Sequence, residues 1–514
     1  MNAPQGSKSR APSLMRFAPA MVALLVVVIS ATDLADVDLW RHLKFGADML
    51  ANRGPIARDP YAYSIPNQPW ISHEWLSEVI FAWIFARFGV IGLKALRLVC
   101  SAITIASLAA SLGETFAPIG IQLGVMILAS IGLIPGMQFR PQIFTYAMLS
   151  VIVWMLTRDN YRRPSPLWLA IPMLAVWANL HGGFVVGLAV LSVYALVAGL
   201  DGFISGNGIG RAAHLAAIVI GAALASLLTP YGIGAWRSAL HTITRPQMLS
   251  HVSEWQSLFA GMAAVWHLPG LAVIFDVSLA LMLGGFTLSV ILAPRGRDLP
   301  LVAVGALMLA ATAAALRNIP LGIIGCAAPL ARHSMLLLSA RSSMHRQRRA
   351  SVATQTVIAA IALALAIKMG VLSRKLEADR SYPAGAIAFM AQHGLRGNIL
   401  CDYEWAGYVL YHYGPKSRVF IDGRYEMIYP ERIAEDFMTF YDARAGAARV
   451  LASYPHDYVL ISSKAPARKL MDESKDWRLI YSDTASVLCA RRKSTLANAP
   501  STPIKGTDPK FTFP

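Results

Sequence analysis

The sequence predicts a polytopic α-helical membrane protein of about 11 transmembrane helices with a small α/β soluble domain near its C-terminal end. Three observations predict it. The 514 residues are 55% hydrophobic and only 15% charged, with a mean hydropathy of +0.49. That balance suits a chain that buries much of its surface in lipid. Charge is also spread unevenly: residues 1–372 hold 26 Lys/Arg and 13 Asp/Glu, and residues 373–514 hold 20 and 16. A water-exposed domain therefore begins near Arg374. Finally, seven of the first 13 acidic residues crowd into one stretch after the first apolar segment: Asp33, Asp36, Asp38, Asp48, Asp59, Glu74 and Glu78. Carboxylates beside a bilayer are costly, so this crowding marks chemistry.

Eleven spans are expected, at 17–34, 90–112, 119–137, 140–157, 166–180, 183–201, 211–229, 270–293, 299–316, 318–338 and 351–372. Most suit a crossing of ~20 residues. The first lacks a small-x-small cleavage site before the acidic loop, so it is read as an anchor. The acidic outer loop follows at 33–89. Within it, Glu74–Phe88 is apolar but short and carries Glu74, Glu78 and Arg87. It is expected as an interfacial or re-entrant helix with Trp75 and Trp83 at headgroup depth.

Orientation comes from the basic loops. Lys8, Arg10 and Arg16, then Arg158, Arg162 and Arg163, then Arg295 and Arg297, then Arg341 to Arg349 all fall on one side, which the positive-inside rule makes the cytoplasm. An odd span count puts the C-terminal domain outside, in a bacterial periplasm. The polar segments FRPQ (139–142), NLHGG (179–183), TPYG (229–232), SEW (253–255) and LRNIP (316–320) share that outer face with the acidic loop. The net charge of +17 punctuates apolar runs and forms no basic arm, so no nucleic-acid partner is expected.

The domain at 380–492 alternates helix and strand: helix near Ala384–His393, strand near Asn398–Cys401, helix near Trp405–Tyr413, strand near Arg418–Asp422. Helices within Glu431–Ser453 and strands near Asp457–Ile461, Trp477–Tyr481 and Ser486–Ala490 follow. A mostly parallel sheet ending in a hairpin is expected. It has no nucleotide loop and no nucleophile elbow. Residues 493–514 read as a disordered tail. Cys401 and Cys489 read as unpaired core residues.

Four groups of residues carry candidate chemistry. In DVDLWRHL (36–43), two carboxylates two apart chelate an ion or pair as base and orienter. Asp38 and His42 share a helical face, so any metal site would draw on Asp36, Asp38 and His42. The bland alternative is an N-cap at Asp36 for a helix running to about Ala51. His73 and Glu74 offer an acid, a base or a ligand, and Asp59 is close enough in the loop to join them. Arg140, His181 and Arg317 stand at outer span ends against the positive-inside trend, so each arginine needs a phosphate or an acidic-loop partner. Asp422-Gly423-Arg424 reads chiefly as a turn, locked by Arg424 against Asp402 or Glu404.

These residues resemble the GT-C superfamily of integral-membrane glycosyltransferases, especially bacterial members with a C-terminal periplasmic domain. The likeness rests on Asp36, Asp38, Trp40, His42 and Leu43, followed by Gly54, Asp59, Pro60, Ser64, Pro69, Trp70, His73, Glu74, Trp75 and Leu76. It continues through Asn179–Gly182, then Trp405, Gly407, Tyr408 and Val419–Arg424. Trp40-Arg41 and Ala406 depart from the pattern without touching the acidic residues. The resemblance implies an inverting transfer from a polyprenyl-phosphate sugar to an envelope or lipid-linked acceptor at the outer face of the inner membrane. Asp36 matches the catalytic base best, and Asp38 next. Asp59, His73, Glu74, Arg140, His181 and Arg317 become candidate substrate-binding residues. The sequence assigns no cofactor, and a divalent ion (Mg or Mn) stays open. The other classes are a transporter or flippase of lipid-linked sugar and a non-catalytic polysaccharide-assembly protein. A transporter should show repeated halves and charged mid-membrane helices. The sequence has no evident repeat, and Asp276 and Lys368 lie near span ends.

Overall fold

The computed structural model describes residues 35–204, 209–244, 253–258, 269–293, 298–339, 376, 382–492 and 504–505. The expected first and last spans, 17–34 and 351–372, lie outside the described residues.

Helix α1 (Leu39–Ala51) opens the described chain. The Asp36 carboxylate accepts the Asp38 N–H at 2.9 Å, and the Asp36 carbonyl accepts Leu39 N–H at 3.0 Å. That turn sets up the helix, whose N-cap is Asp38 rather than Asp36. Helix α2 (Trp75–Glu114) runs 40 residues but breaks at Gly89, with φ 59° and ψ −150°. Only glycine adopts that conformation without strain. The break separates the amphipathic lead-in, where a short interfacial helix was expected, from the expected span beginning at residue 90.

The helices that follow are α3 (Ile119–Leu133), α4 (Gln142–Asn160), α5 (Ala170–Leu180), α6 (Phe184–Ile204), α7 (Ile209–Ala225) and α8 (Ile233–Thr244). Then come α9 (Pro269–Leu279), α10 (Gly285–Leu292), α11 (Leu299–Ala314) and α12 (Ile319–Ser339). Among the described residues, five helices are long and apolar enough to cross a membrane, and three shorter apolar ones accompany them. Helix α4 is in neither group: Gln142, Arg158, Asp159 and Asn160 at its ends lower its apolar content most, and to a lesser degree so do Thr145, Tyr146, Ser150 and Thr157. The last four are buried, since α4 packs against α2, α6 and α12. The helices share one apolar core, built on residues such as Ile105, Leu149, Trp177, Tyr194 and Ile324.

The C-terminal domain is a six-stranded sheet with helices: β1 (Asn398–Cys401), β2 (Arg418–Val419), β3 (Tyr458–Ser462), β4 (Trp477–Ser482), β5 (Ser486–Arg491) and β6 (Ile504–Lys505). The order is β2-β1-β3-β5-β4-β6. β1 lies parallel to β2 and β3, while β5 is antiparallel to both β3 and β4. This is the expected parallel sheet closed by a hairpin. β6 pairs parallel with β4, although it falls in the segment read as a disordered tail. The open edge of β4 offers unpaired backbone groups, which is what draws a strand in. All four cysteines are free and buried.

The other sheet edge is covered by the acidic loop. Ala62 bridges Val419 in parallel, with Val419 N–H donating to Tyr61 O at 2.9 Å and Tyr63 N–H to Val419 O at 3.1 Å. Leu39, Trp40, Phe45, Tyr61 and Trp70 of the loop belong to the same apolar core as Ile399, Val409, Phe420 and Leu460 of the domain. The loop and the domain are therefore one folded unit placed beside the helix bundle.

Candidate functional site

Where that unit meets the helix ends, a cavity of about 320 Å³ opens. Asp38 and Arg41 enter it from the start of α1, His73 and Glu74 from the lead to α2, and Arg140 from the turn before α4. His181 comes from the end of α5, Glu254 and Trp255 from a short 3₁₀ turn, and Arg317 from the 3₁₀ turn Leu316–Asn318 that leads into α12. Tyr403, Glu404, Gly423 and Tyr425 of the C-terminal domain close the remaining side.

Alternating charges organise the wall. Arg140 lies 2.8 Å from Asp36 through Nε, 2.7 Å from Glu254 through Nη1 and 3.5 Å from Asp38 through Nη2. Arg41 Nη2 sits 3.3 Å from Asp38. Arg317 reaches Glu254 at 3.6 Å and stacks 4.2 Å above the Trp255 ring. Burial opposes the charge on Asp38, but Arg41 and Arg140 outweigh it and hold the carboxyl below the usual range. Burial pushes Asp36 up despite Arg140. Burial likewise raises Glu74. Asp38 is thus the better placed of the two aspartates to remain a carboxylate, and its side chain is 24% exposed against 7% for Asp36.

Six of the expected residues therefore line one cavity: Asp38, His73, Glu74, Arg140, His181 and Arg317. Asp36 stands behind Arg140. Asp59 does not join them. It is buried and paired with Arg424 at 2.6 Å, because its loop turns to meet the sheet edge. Arg424 also grips Asp422, with Nε and Nη2 donating at 2.9 and 2.6 Å. Its guanidinium lies over Trp70, Phe45 and Tyr61, at 4.6, 4.8 and 5.4 Å. The expected partners Asp402 and Glu404 are not used: Asp402 caps the helix at Tyr403–Tyr413 and accepts the Tyr441 hydroxyl.

The expected metal set also changes. His42 turns to Glu78, with Nδ1 3.2 Å from Oε1. Asp36 and Asp38 are occupied with arginines. Among the described residues, His42, Glu74 and Glu78 bring ligand atoms within 4.8 Å of one another. Burial, then Arg41, drives the His42 pKa well below the usual value, so the ring is neutral and able to ligate.

Sequence reasoning missed Arg41, Glu78 and Glu254 as ion-pair partners, although Arg41 and Glu254 lay inside segments it singled out. It also missed Gly423. A Cβ there would lie 2.8 Å from Asp38 Oδ1, so the domain's backbone presses directly on this aspartate.

No family model and no curated protein matches the chain. Solved structures do. The oligosaccharyltransferase AglB from Archaeoglobus fulgidus, in complex with an inhibitory peptide and a dolichol-phosphate, matches at TM-score 0.51 and 11% identity over 87% of this chain and 70% of AglB. An Archaeoglobus fulgidus oligosaccharyltransferase tethered with an acceptor peptide gives 0.53 at 10% identity, over 88% of this chain and 70% of that one. The arabinofuranosyltransferase AftD from Mycobacteria matches at 0.51 and 15% identity over 94% of this chain, which spans only 40% of AftD. The likeness is one of fold, shared with these membrane glycosyltransferases over most of this chain.

Proposed function

We propose that the protein is an inverting membrane glycosyltransferase. It moves a sugar from a polyprenyl-phosphate donor to an envelope or lipid-linked acceptor on the outer face of a bacterial inner membrane. The observation that carries this reading is the cavity wall, where Asp38 stands among Arg41, Arg140 and Arg317. The dolichol-phosphate bound to AglB supports the same class of lipid carrier.

The roles follow from charge. Asp38 accepts the proton of an acceptor hydroxyl. That oxygen bonds to the anomeric carbon as the glycosyl–phosphate bond breaks, and the bond's electron pair leaves with the lipid phosphate. The arginines neutralise the phosphate as it departs. Asp36 holds Arg140 in place. If the enzyme carries Mg or Mn, His42, Glu74 and Glu78 are the residues that would hold it, and the ion would supply positive charge beside Glu74.

The test is release of polyprenyl phosphate from a panel of polyprenyl-phosphate sugars by the purified full-length protein. Arg317→Gln removes a charge-assisted contact worth about 1.5–3 kcal/mol, so donor KM should rise roughly 10- to 100-fold. An unchanged donor KM would remove Arg317 from the phosphate site. The eleven-span arrangement is tested by reporter fusions. A fusion after Gln347 should be cytoplasmic and one after Tyr382 outside. Finding both on one side would overturn the placement.

A further inference from the structure

We propose that His181 is a positioning residue locked as the neutral Nε2–H tautomer, which holds Glu74 ready to accept a hydrogen bond from a sugar hydroxyl. The lock is built from groups whose roles are not interchangeable. The Trp177 indole N–H can only donate, and it donates to Thr145 Oγ1 at 2.9 Å. The Thr145 hydroxyl hydrogen is then free to point onward, and His181 Nδ1 lies 2.8 Å away. The Gly183 backbone N–H donates to the same nitrogen at 3.0 Å. A ring nitrogen that accepts carries no proton, so in a neutral imidazole the proton sits on Nε2. An imidazolium has no accepting nitrogen, so the Gly183 N–H aimed at Nδ1 also requires the ring to be neutral.

The segment Asn179–Gly183 is shaped for this. A Cβ at Gly183 would fall 2.5 Å from Thr145 Oγ1 and 2.8 Å from His181 Nδ1, so only glycine admits both contacts. A Cβ at Gly182 would press His73 at 3.0 Å. Asn179 fixes the end of α5 by accepting the Trp75 indole N–H at 3.0 Å and donating to Leu228 O at 2.8 Å. The result places His181 Nε2 3.5 Å from Glu74 Oε1, with His73 Nε2 3.8 Å from the same oxygen. Two imidazole edges therefore flank Oε1, and Glu74 has lone pairs left for a ligand in the cavity. The protonated Nε2 also has no lone pair for a metal, which keeps His181 out of any ion site. The role at Glu74 rests on the sugar-transfer reading; the tautomer does not.

The experiment is nitrogen-15 histidine NMR on the full-length protein in detergent, with His181→Gln to assign the His181 signals, alongside steady-state transfer kinetics. At neutral pH, His181 should show a bare Nδ1 and a protonated Nε2. Thr145→Val should mix the tautomers, while Thr145→Ser keeps the single form. His181→Ala should lower kcat roughly 10²-fold, the scale of a misplaced group. His181→Gln, which keeps an N–H donor at similar reach, should recover most of it. A rise in donor KM in His181→Ala would assign the hydroxyl to the donor sugar, and a rise in acceptor KM to the acceptor. A protonated Nδ1 or an imidazolium at neutral pH overturns the lock whatever the activity. A confirmed lock with unchanged turnover in both Thr145→Val and His181→Ala overturns the positioning role.

Discussion

Asp38→Asn lowers sugar transfer by about 10²- to 10⁴-fold, the usual contribution of a positioned general base. The substitution keeps the size of the side chain but removes its basic oxygen. Donor binding survives, because Arg41, Arg140 and Arg317 remain and lose only a competing anion. Asp36→Asn also costs activity, by loosening Arg140, to which it is paired at 2.8 Å. The two losses have different signatures: Asp38→Asn falls in kcat, and Asp36→Asn rises in donor KM as well. The pH profile carries a further sign. Arg41 and Arg140 overcome burial and hold the Asp38 carboxyl below the usual range, so the base stays ionised through neutral and mildly acid pH. Activity governed by it falls only as pH drops below about 4, the ordinary aspartate value. An acid limb near neutrality would point to another group, with Glu74 the first to examine.

Arg424→Met destabilises the unit formed by the acidic loop and the C-terminal domain by about 3–5 kcal/mol, the cost of stripping the partner from a buried ion pair. Asp59 and Asp422 would be left charged and enclosed, and three aromatic rings would lose their cation. Thermal unfolding in detergent should show the loss, and Asp59→Asn on the same background should recover part of it. An unchanged melting temperature would mean that the clamp contributes nothing. There is a functional consequence too. Gly423, beside Arg424, presses on Asp38, so a loosened clamp should also lower kcat.

That coupling explains what the sequence could and could not reveal. The helices between residues 90 and 338 were legible, because a single chain displays long apolar runs openly. The strands of the domain were legible from short apolar runs between turns. The convergence of Asp38, His73, Glu74, Arg140, His181 and Arg317 on one cavity was legible from charge asymmetry combined with a span count. Pairing was not. Arg424 meets Asp59 across 365 positions, and Arg140 meets Glu254 across 114. Nothing local in sequence distinguishes a carboxylate facing a cavity from one sealed behind an arginine. Asp59 was misplaced for that reason, and His42 was grouped with Asp36 and Asp38 where it meets Glu74 and Glu78. Each sits in a motif with site residues, but the turn at Asp59 and the helical phase of α1 aim them elsewhere.

The shared core also changes what removing the domain should do. Truncation after Leu372 would take the whole domain away. Since Trp40, Phe45 and Tyr61 would lose the apolar partners they now have, the truncated protein should lose donor binding and transfer together.

The most direct measurement is a structure of the full-length protein with a polyprenyl phosphate bound. The phosphate is expected within hydrogen-bond distance of Arg41, Arg140 and Arg317, with Asp38 facing the space where the sugar would sit. A phosphate held instead where Arg158 and Arg163 pair with Glu114, with the outer cavity empty, would contradict it.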